Sequence, residues 1–509
     1  MKLKSIYIFL IVISFVFAQY RTKNLQKLLK KRLNHFQAKN KDEYKVYYHT
    51  QKIDHLQFNN DSTFQQKYLV RDQFYQEGGP IFFYCGNEGP VEMFYENAGF
   101  LNTDLAKEFN ALIVYMEHRY YGDSMPFGNE ENSYKKENLV YLTSLQALYD
   151  YVTFLDDFKA KNFDYNVPVI AFGGSYGGML ATWMRLKFPN SIDGALGASA
   201  PIAYFQNRVG LNLGSFYEIA TVNFEQDGCD KKIKETFDRL QDMYYTANQE
   251  DFEELNSSFN LCTPITSQQN ITSLINWINE GYAYMAMTNY PYETEFLKYL
   301  PAWPANTSCN ALEDVNINSS NKNLFNAINL SVSTYYNFDG KEKCNEIFED
   351  NASDQDMAGW DIQACAELVM PMDSGDSMFN FFMWDGELYS QNCYDQWGLK
   401  TNYDWALNFY GGKTDEEFQY SSNIFLSNGE LDPWSGGGIY YENNLDFDYV
   451  LMPMCAHHLD LRSPNPADPI YVKKGRNLER EAIYRWIQQK SNSVNYTKQK
   501  KQLQNEIKI

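Results

Sequence analysis

The stretch VPVIAFGGSYGGMLATWMRLKF, residues 167–188, constrains the fold more than any other part of this chain. A short apolar run meets four glycines packed around one serine, and the pattern then resumes with helical spacing. Glycine loses more conformational freedom on folding than other residues, so a cluster marks a sharp turn or a close backbone approach. A phosphate loop of the G-x-x-x-x-G-K-[ST] type is excluded, because no lysine follows these glycines. Gly173, Gly174, Ser175, Tyr176 and Gly177 instead fit G-x-S-x-G between a strand and a helix. That is a nucleophile elbow, in which bulky flanking side chains would collide and the serine hydroxyl stands exposed at the helix N-terminus.

The flanking sequence predicts the sheet such an elbow needs. TFQQKYLV, GPIFFYCG, NALIVYMEHRYYG, VPVIAFGG and GALGASAPI read as short strands, and FLNTDLAKEFN, LTSLQALYDYVTFLDDF and MLATWMRLKF as helices. Apolar runs bounded by Gly or Asn and separated by helices indicate strands buried on both faces, hence an α/β domain. The alternation stops near residue 206 and helical patterns follow, until strands return at SNIFLSNGELDP and DYVLMPMCAHH. The expected plan is an α/β domain over 46–205 and 401–490, interrupted by a helical cap insertion over 206–400. A last helix is expected around LEREAIYRWIQQK and a polar tail over 491–509.

A serine hydroxyl needs a base to take its proton, and the base needs an acid to orient it. NIFLSNGELDPWSGGG supplies Asp432 just past a late strand, and YVLMPMCAHHLDLR supplies His457 and His458 past the next. The order Ser, Asp, His is that of an α/β-hydrolase. His457 is the favoured base, with His458 and Arg462 as supporting groups. Asp460 is a weaker alternative acid, being only three residues from His457. The oxyanion hole is expected from the backbone N–H of Tyr176 and from the loop at Gly86 and Asn87.

MKLKSIYIFLIVISFVFAQY reads as a secretory signal cut after Ala18, since its apolar run falls well short of the about 20 residues a membrane span needs. Residues 19–45 are basic and read as a lead-in or propeptide. Eight cysteines without a C-x-x-C pair fit disulfides in an oxidising compartment, not a metal site. Sequons begin at Asn60, Asn256, Asn270, Asn306, Asn318, Asn329, Asn351 and Asn495, most of them inside the insertion. The net charge of -21 argues against nucleic acid and suits an acidic compartment.

GGSYGGMLATW, EHRYYGDSMPFG, GNEG, LSNGELDPWSGGG and AHHLDLR together resemble the S28 serine peptidases, over residues from about 50 to 490. LCTPITSQ, YPYETEFLKYLPAWP and ACAELVMP resemble more closely the branch of carboxypeptidases that act after proline. The resemblance implies Ser175, Asp432 and His457 as the triad, cleavage after proline in mild acid, a lysosomal or secreted location, and a helical cap over the site. It further implies disulfides Cys229 with Cys309, Cys262 with Cys344, and Cys365 with Cys393. Cys85 and Cys455 stand where relatives look more like Thr and Gly, and two unusual cysteines beside the active-site loops are read as one additional bond. A proline-sized pocket wants apolar walls, for which Met179, Met370 and Trp434 are placed by sequence. Glu88 and His118 lie in matched motifs without a catalytic task, and EHRYYG is read as structural.

The expected partners are proline-containing peptides, with no cofactor, metal, nucleic acid or stable membrane anchor; a homodimer is left open. Two alternatives stand beside the carboxypeptidase. One is a dipeptidyl peptidase of the same family, for which Asp373, standing where a cysteine is expected, or Asp376 would bind the amine. The other is an inactive secreted binding protein on this fold, against which the intact triad argues.

Overall fold

The computed structural model describes residues 43–164, 166–348, 358–440 and 447–506. The expected signal peptide, the lead-in up to residue 42 and Asn351 lie outside the described residues, as does the side chain of Asn495. Eight strands form one sheet: β1 (Lys45–Lys52), β2 (Thr63–Arg71), β3 (Ile81–Cys85), β4 (Leu112–Met116), β5 (Val169–Gly174), β6 (Gly194–Ala198), β7 (Ile424–Gly429) and β8 (Phe447–Met452). Their order is β1-β2-β4-β3-β5-β6-β7-β8. β1 and β2 pair antiparallel and β3 to β8 run parallel.

The inner strands β3, β4, β5, β6 and β7 are buried at every residue, which their unbroken apolar runs demand. Helices therefore cover both faces. Before β6 the chain forms α1 (Val91–Asn97), α2 (Ser144–Asn162) and α3 (Tyr176–Lys187). Between β6 and β7 it forms α4 (Ser215–Val222), α5 (Cys229–Thr246), α6 (Gln249–Ser258), α7 (Gln268–Met287), α8 (Pro304–Asn310) and α9 (Asn321–Tyr336). There follow α10 (Ala358–Ala366), α11 (Gly386–Trp397) and α12 (Trp405–Tyr410), and α13 (Ile470–Glu506) comes after β8. α2, α3 and α12 share a core with one sheet face, α1 and α13 with the other. Trp486 of α13 lies so near Gly194 that a Cβ there would come within 2.2 Å of its ring.

The insertion has two parts. α4 to α9 form a bundle whose core is continuous with the α1 and α13 face of the sheet. Its central element is α7, buried at every residue from Leu274 to Met287. A return segment, α10 and α11, packs instead beside Tyr120, Tyr121 and Tyr134 of the sheet domain. Cys229–Cys309 and Cys262–Cys344 fasten the bundle, and Cys365–Cys393 fastens α10 to α11. Bonds of this kind typically stabilise by about 2–4 kcal/mol each.

Three expectations need correcting. Cys85 and Cys455 are not bonded: both are free and buried. Cys85 ends β3 inside the core beneath α2 and α3, whereas Cys455 packs with Tyr290, Leu459 and Val472, its carbonyl against Gly429 at the end of β7. Three strand spacings separate β3 from β7, about 14 Å, and a disulfide requires Cα atoms within about 7 Å. β1 was not anticipated, and the last helix runs on to Glu506, because no proline or glycine stops it after Gly475. Among the described residues no helix is long and apolar enough to cross a membrane.

The sequons are unequal. Asn306 and Asn318 are exposed, whereas Asn256 in α6 accepts from Ile265 N at 2.7 Å and donates to Ile265 O at 3.0 Å. Glycopeptide mapping of protein made in a eukaryotic secretory host should find glycans on Asn306 and Asn318 and a bare Asn256.

Candidate active site

Strands β3, β5, β7 and β8 end at the same edge of the sheet, where open α/β sheets place their sites. The loops leaving them carry Gly86 and Asn87, Ser175, Asp432 and His457 respectively. Ser175 stands between β5 and α3 with φ 56° and ψ -127°, a conformation costing about 1–3 kcal/mol for a residue with a side chain. Its N–H donates to Ala198 O at 2.8 Å and its carbonyl accepts from Met179 N at 3.0 Å. A Cβ on Gly173 would lie 2.0 Å from Gly177 O, and one on Gly177 would lie 2.3 Å from Asn87 Oδ1. The glycines are required by these close approaches.

Asp432 is buried, accepts from Trp434 N at 3.0 Å, and places Oδ2 2.9 Å from His457 Nδ1. A carboxylate only accepts, so Nδ1 carries the hydrogen and Nε2 is left as the basic nitrogen. The main chain of His457 is held by the bundle: its N–H donates to Met287 O at 3.1 Å and its carbonyl accepts from Tyr290 Oη at 2.9 Å. Arg462 lies 4.5 Å from the centre of the Tyr290 ring and donates to Asn97 Oδ1 at 3.1 Å and Thr294 Oγ1 at 2.9 Å. It therefore ties the histidine loop to the bundle. His458 adopts a left-handed conformation, φ 39°, donates its N–H to Ser199 Oγ at 2.7 Å and lies 4.4 Å from the His457 ring, centre to centre. Burial holds its pKa well below the usual histidine value, so it packs as a neutral ring.

The oxyanion loop departs from expectation at one residue. The N–H of Gly86 is already donated to Met116 O at 3.0 Å, and its carbonyl accepts from Tyr151 Oη at 3.0 Å, so Gly86 is a strut and not a donor. The Asn87 side chain donates to Gly174 O at 2.6 Å and accepts from Tyr84 Oη at 3.3 Å, which clasps this loop to the serine turn. Tyr176 is the first residue of α3, and its N–H has no acceptor within the helix.

Met370 and Trp434 are half-buried, with Trp434 packed edge-on against Phe216 of α4 at 5.0 Å and Tyr204 at 6.0 Å. Met179, on α3, has no exposed surface and points into the core, so it does not form the pocket wall expected of it. Asp460 takes a hydrogen bond from Ser427 and contacts Glu479 instead of His457, so the alternative acid is turned away from the ring. Asp373 accepts from Gly375 N at 3.1 Å, and Asp376 N donates to Glu218 Oε1 at 3.1 Å, both beside the start of α4. The roles of Met287, Tyr290 and Thr294 were missed by sequence reasoning, although YPYETEF carries part of the resemblance to the S28 peptidases. A tyrosine that holds a distant main-chain carbonyl leaves no local pattern.

The serine carboxypeptidase S28 family profile matches residues 51–479. The chain is 42% identical over 453 residues to the lysosomal Pro-X carboxypeptidase of Homo sapiens, covering 87% of this chain and 88% of that one. It is 40% identical over 456 residues to the Bos taurus protein of the same name, with 87% and 88% covered. It is 36% identical over 470 residues to prolyl carboxy peptidase like protein 5 of Caenorhabditis elegans, with 87% and 90% covered. This chain belongs to the serine carboxypeptidase S28 family.

Burial near the site shifts several groups in opposite directions. It pushes Glu367 and Glu117 up to about 7, the latter against the opposing charge of Lys67, and lifts Glu479 well above the ordinary range with Asp460 beside it. It pushes His118 down to about 4. The folded protein therefore holds more protons on these carboxyls than the unfolded chain above about pH 4.5, and stability falls as pH rises through their folded values. For His118 and His458 the folded protein holds fewer protons below about pH 6.5, so stability rises with pH in that window. The two trends oppose each other below about pH 6.5, and only the carboxyls act above it. Thermal melting across pH 4 to 8 should pass a maximum in mild acid and decline above neutrality, by up to about 1.4 kcal/mol per pH unit per proton. Glu479→Gln should flatten that decline; an unchanged alkaline limb would remove Glu479 from the account.

Proposed function

We propose that this chain is a serine exopeptidase that releases the C-terminal residue following a proline, in an acidic lysosome-like compartment or after secretion. The observation that carries the reading is the Asp432–His457 pair, on loops that leave the same sheet edge as the Ser175 turn, with the histidine main chain held by the helical bundle. Ser175 Oγ attacks the prolyl carbonyl carbon while His457 Nε2 takes its proton, and Asp432 stabilises the imidazolium. The negative oxygen of the tetrahedral intermediate is met by the N–H of Tyr176 and by one from the loop at Asn87. On collapse the C–N bond breaks, and His457 passes its proton to the departing amine. Water, activated by the same histidine, then hydrolyses the prolyl ester. Met370 and Trp434, both apolar and half-buried, are the side chains assigned to the proline pocket.

Ser175→Ala should leave the fold intact and lower kcat by about 10⁴-fold or more. His457→Ala should be as damaging, and His458→Ala milder, since that ring is a neutral packing group. Mass spectrometry of two peptides, one with proline next to last and one with proline second, reads the specificity: loss of the last residue from the first peptide is expected. Release of dipeptides from the second alone would assign the dipeptidyl alternative, and near-normal turnover by Ser175→Ala would end the acyl-enzyme reading.

A further inference from the structure

EHRYYG, quoted above as a motif without a catalytic task, leads to the back of the serine turn. The Tyr176 side chain is 1% exposed and its hydroxyl lies between two buried groups, His118 Nε2 at 3.0 Å and Gln363 Nε2 at 2.8 Å. With His118 neutral, the donors and acceptors along this chain of contacts run one way. His118 Nδ1 is 2.6 Å from Arg119 O, which only accepts, so Nδ1 carries the hydrogen and Nε2 of the neutral ring accepts. The Tyr176 hydroxyl must then donate to His118, and its oxygen accepts from the Gln363 amide. Gln363 Oε1 in turn accepts from Tyr121 Oη at 2.7 Å. The sequence Tyr121, Gln363, Tyr176, His118, Arg119 O thus runs in one direction, and burial keeps His118 neutral down to about pH 4.

This arrangement holds the residue whose main chain follows Ser175. The peptide between them belongs on one side to a strained serine, φ 56°, and on the other to the first residue of α3. Its N–H points wherever those two residues are fixed. Gln363 comes from α10, in the return segment, and Trp360 of the same helix packs its ring 5.3 Å from that of Tyr176.

We propose that His118 and Gln363 are positioning residues: through the Tyr176 hydroxyl they fix the amide offered to the oxyanion, and they make its placement depend on docking of the return segment. The proposal rests on Tyr176 N–H being an oxyanion donor, as the acyl-enzyme reading has it. Neither side chain touches substrate; both act on the developing charge through the Tyr176 peptide.

Tyr176→Phe removes one oxygen and no packing volume of note. It should lower kcat by about 10- to 100-fold with KM within about threefold, and weaken binding of a peptidyl-proline boronate by a similar factor while binding of the product is kept. Gln363→Glu gives a signature that a merely structural role would not. A protonated carboxyl donates to Tyr176 as the amide does and an ionised one cannot, so this variant should approach wild-type kcat near pH 4 and lose activity progressively towards pH 7. Gln363→Leu should be impaired at every pH. Melting temperatures and labelling of Ser175 by a fluorophosphonate show that each variant is folded and its nucleophile intact. Wild-type kcat in Tyr176→Phe, or a wild-type pH profile in Gln363→Glu, overturns the proposal. An active Ser175→Ala would instead overturn the reading beneath it.

Discussion

The hydrogen bonds on either side of His457, from its N–H to Met287 O and from Tyr290 Oη to its carbonyl, are the constraint on which the active site depends. A histidine aligned only by its carboxylate partner still swings with its loop. Here the ring is fixed by Asp432 and the main chain by the end of α7 and the residues after it, and Arg462 secures the same residues from the other side. His457 is therefore located by two parts of the chain about 170 residues apart in sequence, joined because the bundle shares its core with the sheet. Orientation of this kind matters because a misplacement of about 1 Å at the reacting atoms costs about 100-fold in rate.

The charges buried around this centre follow one rule. Taking a group out of water favours its neutral form, so carboxyls rise and histidines fall. Glu367 and Glu117 reach about 7 and Glu479 is lifted well above the ordinary carboxyl range, while His118 falls to about 4 and His458 is held well below the usual histidine value. A directed hydrogen bond such as the one from Tyr176 to His118 survives only while the acceptor nitrogen stays unprotonated.

Much of this was legible in the sequence, for physical reasons that differ from element to element. β3, β4, β5 and β7 are buried on both faces, so their apolar runs announced them, and the glycines at 173 and 177 announced the turn because nothing larger fits there. Asp432 and His457, which lie 2.9 Å apart in the structure, could be proposed because each follows a strand that could be read. β1 was not found: it is an edge strand exposed along most of its length, and KVYYHTQK carries no burial pattern. Gly86 was assigned a donor role that its pairing with Met116 removes, since hydrogen-bond commitments are set by strand neighbours and not by spacing. Cys85 and Cys455 looked like partners by compartment and loop position, yet strand order keeps them apart. Local pattern reports burial and turns; who faces whom across the sheet is decided by topology.

The two parts of the insertion grip different halves of the machinery. The bundle holds the His457 main chain, and the return segment reaches the Tyr176 hydroxyl through Gln363, while loops of the sheet carry Ser175 and Asp432. A lid that rose to admit substrate would have to break buried hydrogen bonds to one or the other, each leaving a desolvated polar group at a cost of about 1–3 kcal/mol. Lifting the bundle would also pull Arg462 from the Tyr290 ring. The insertion is thus better described as a fixed wall of the candidate site than as a moving cover, because its two parts are held to that site by buried hydrogen bonds on different residues.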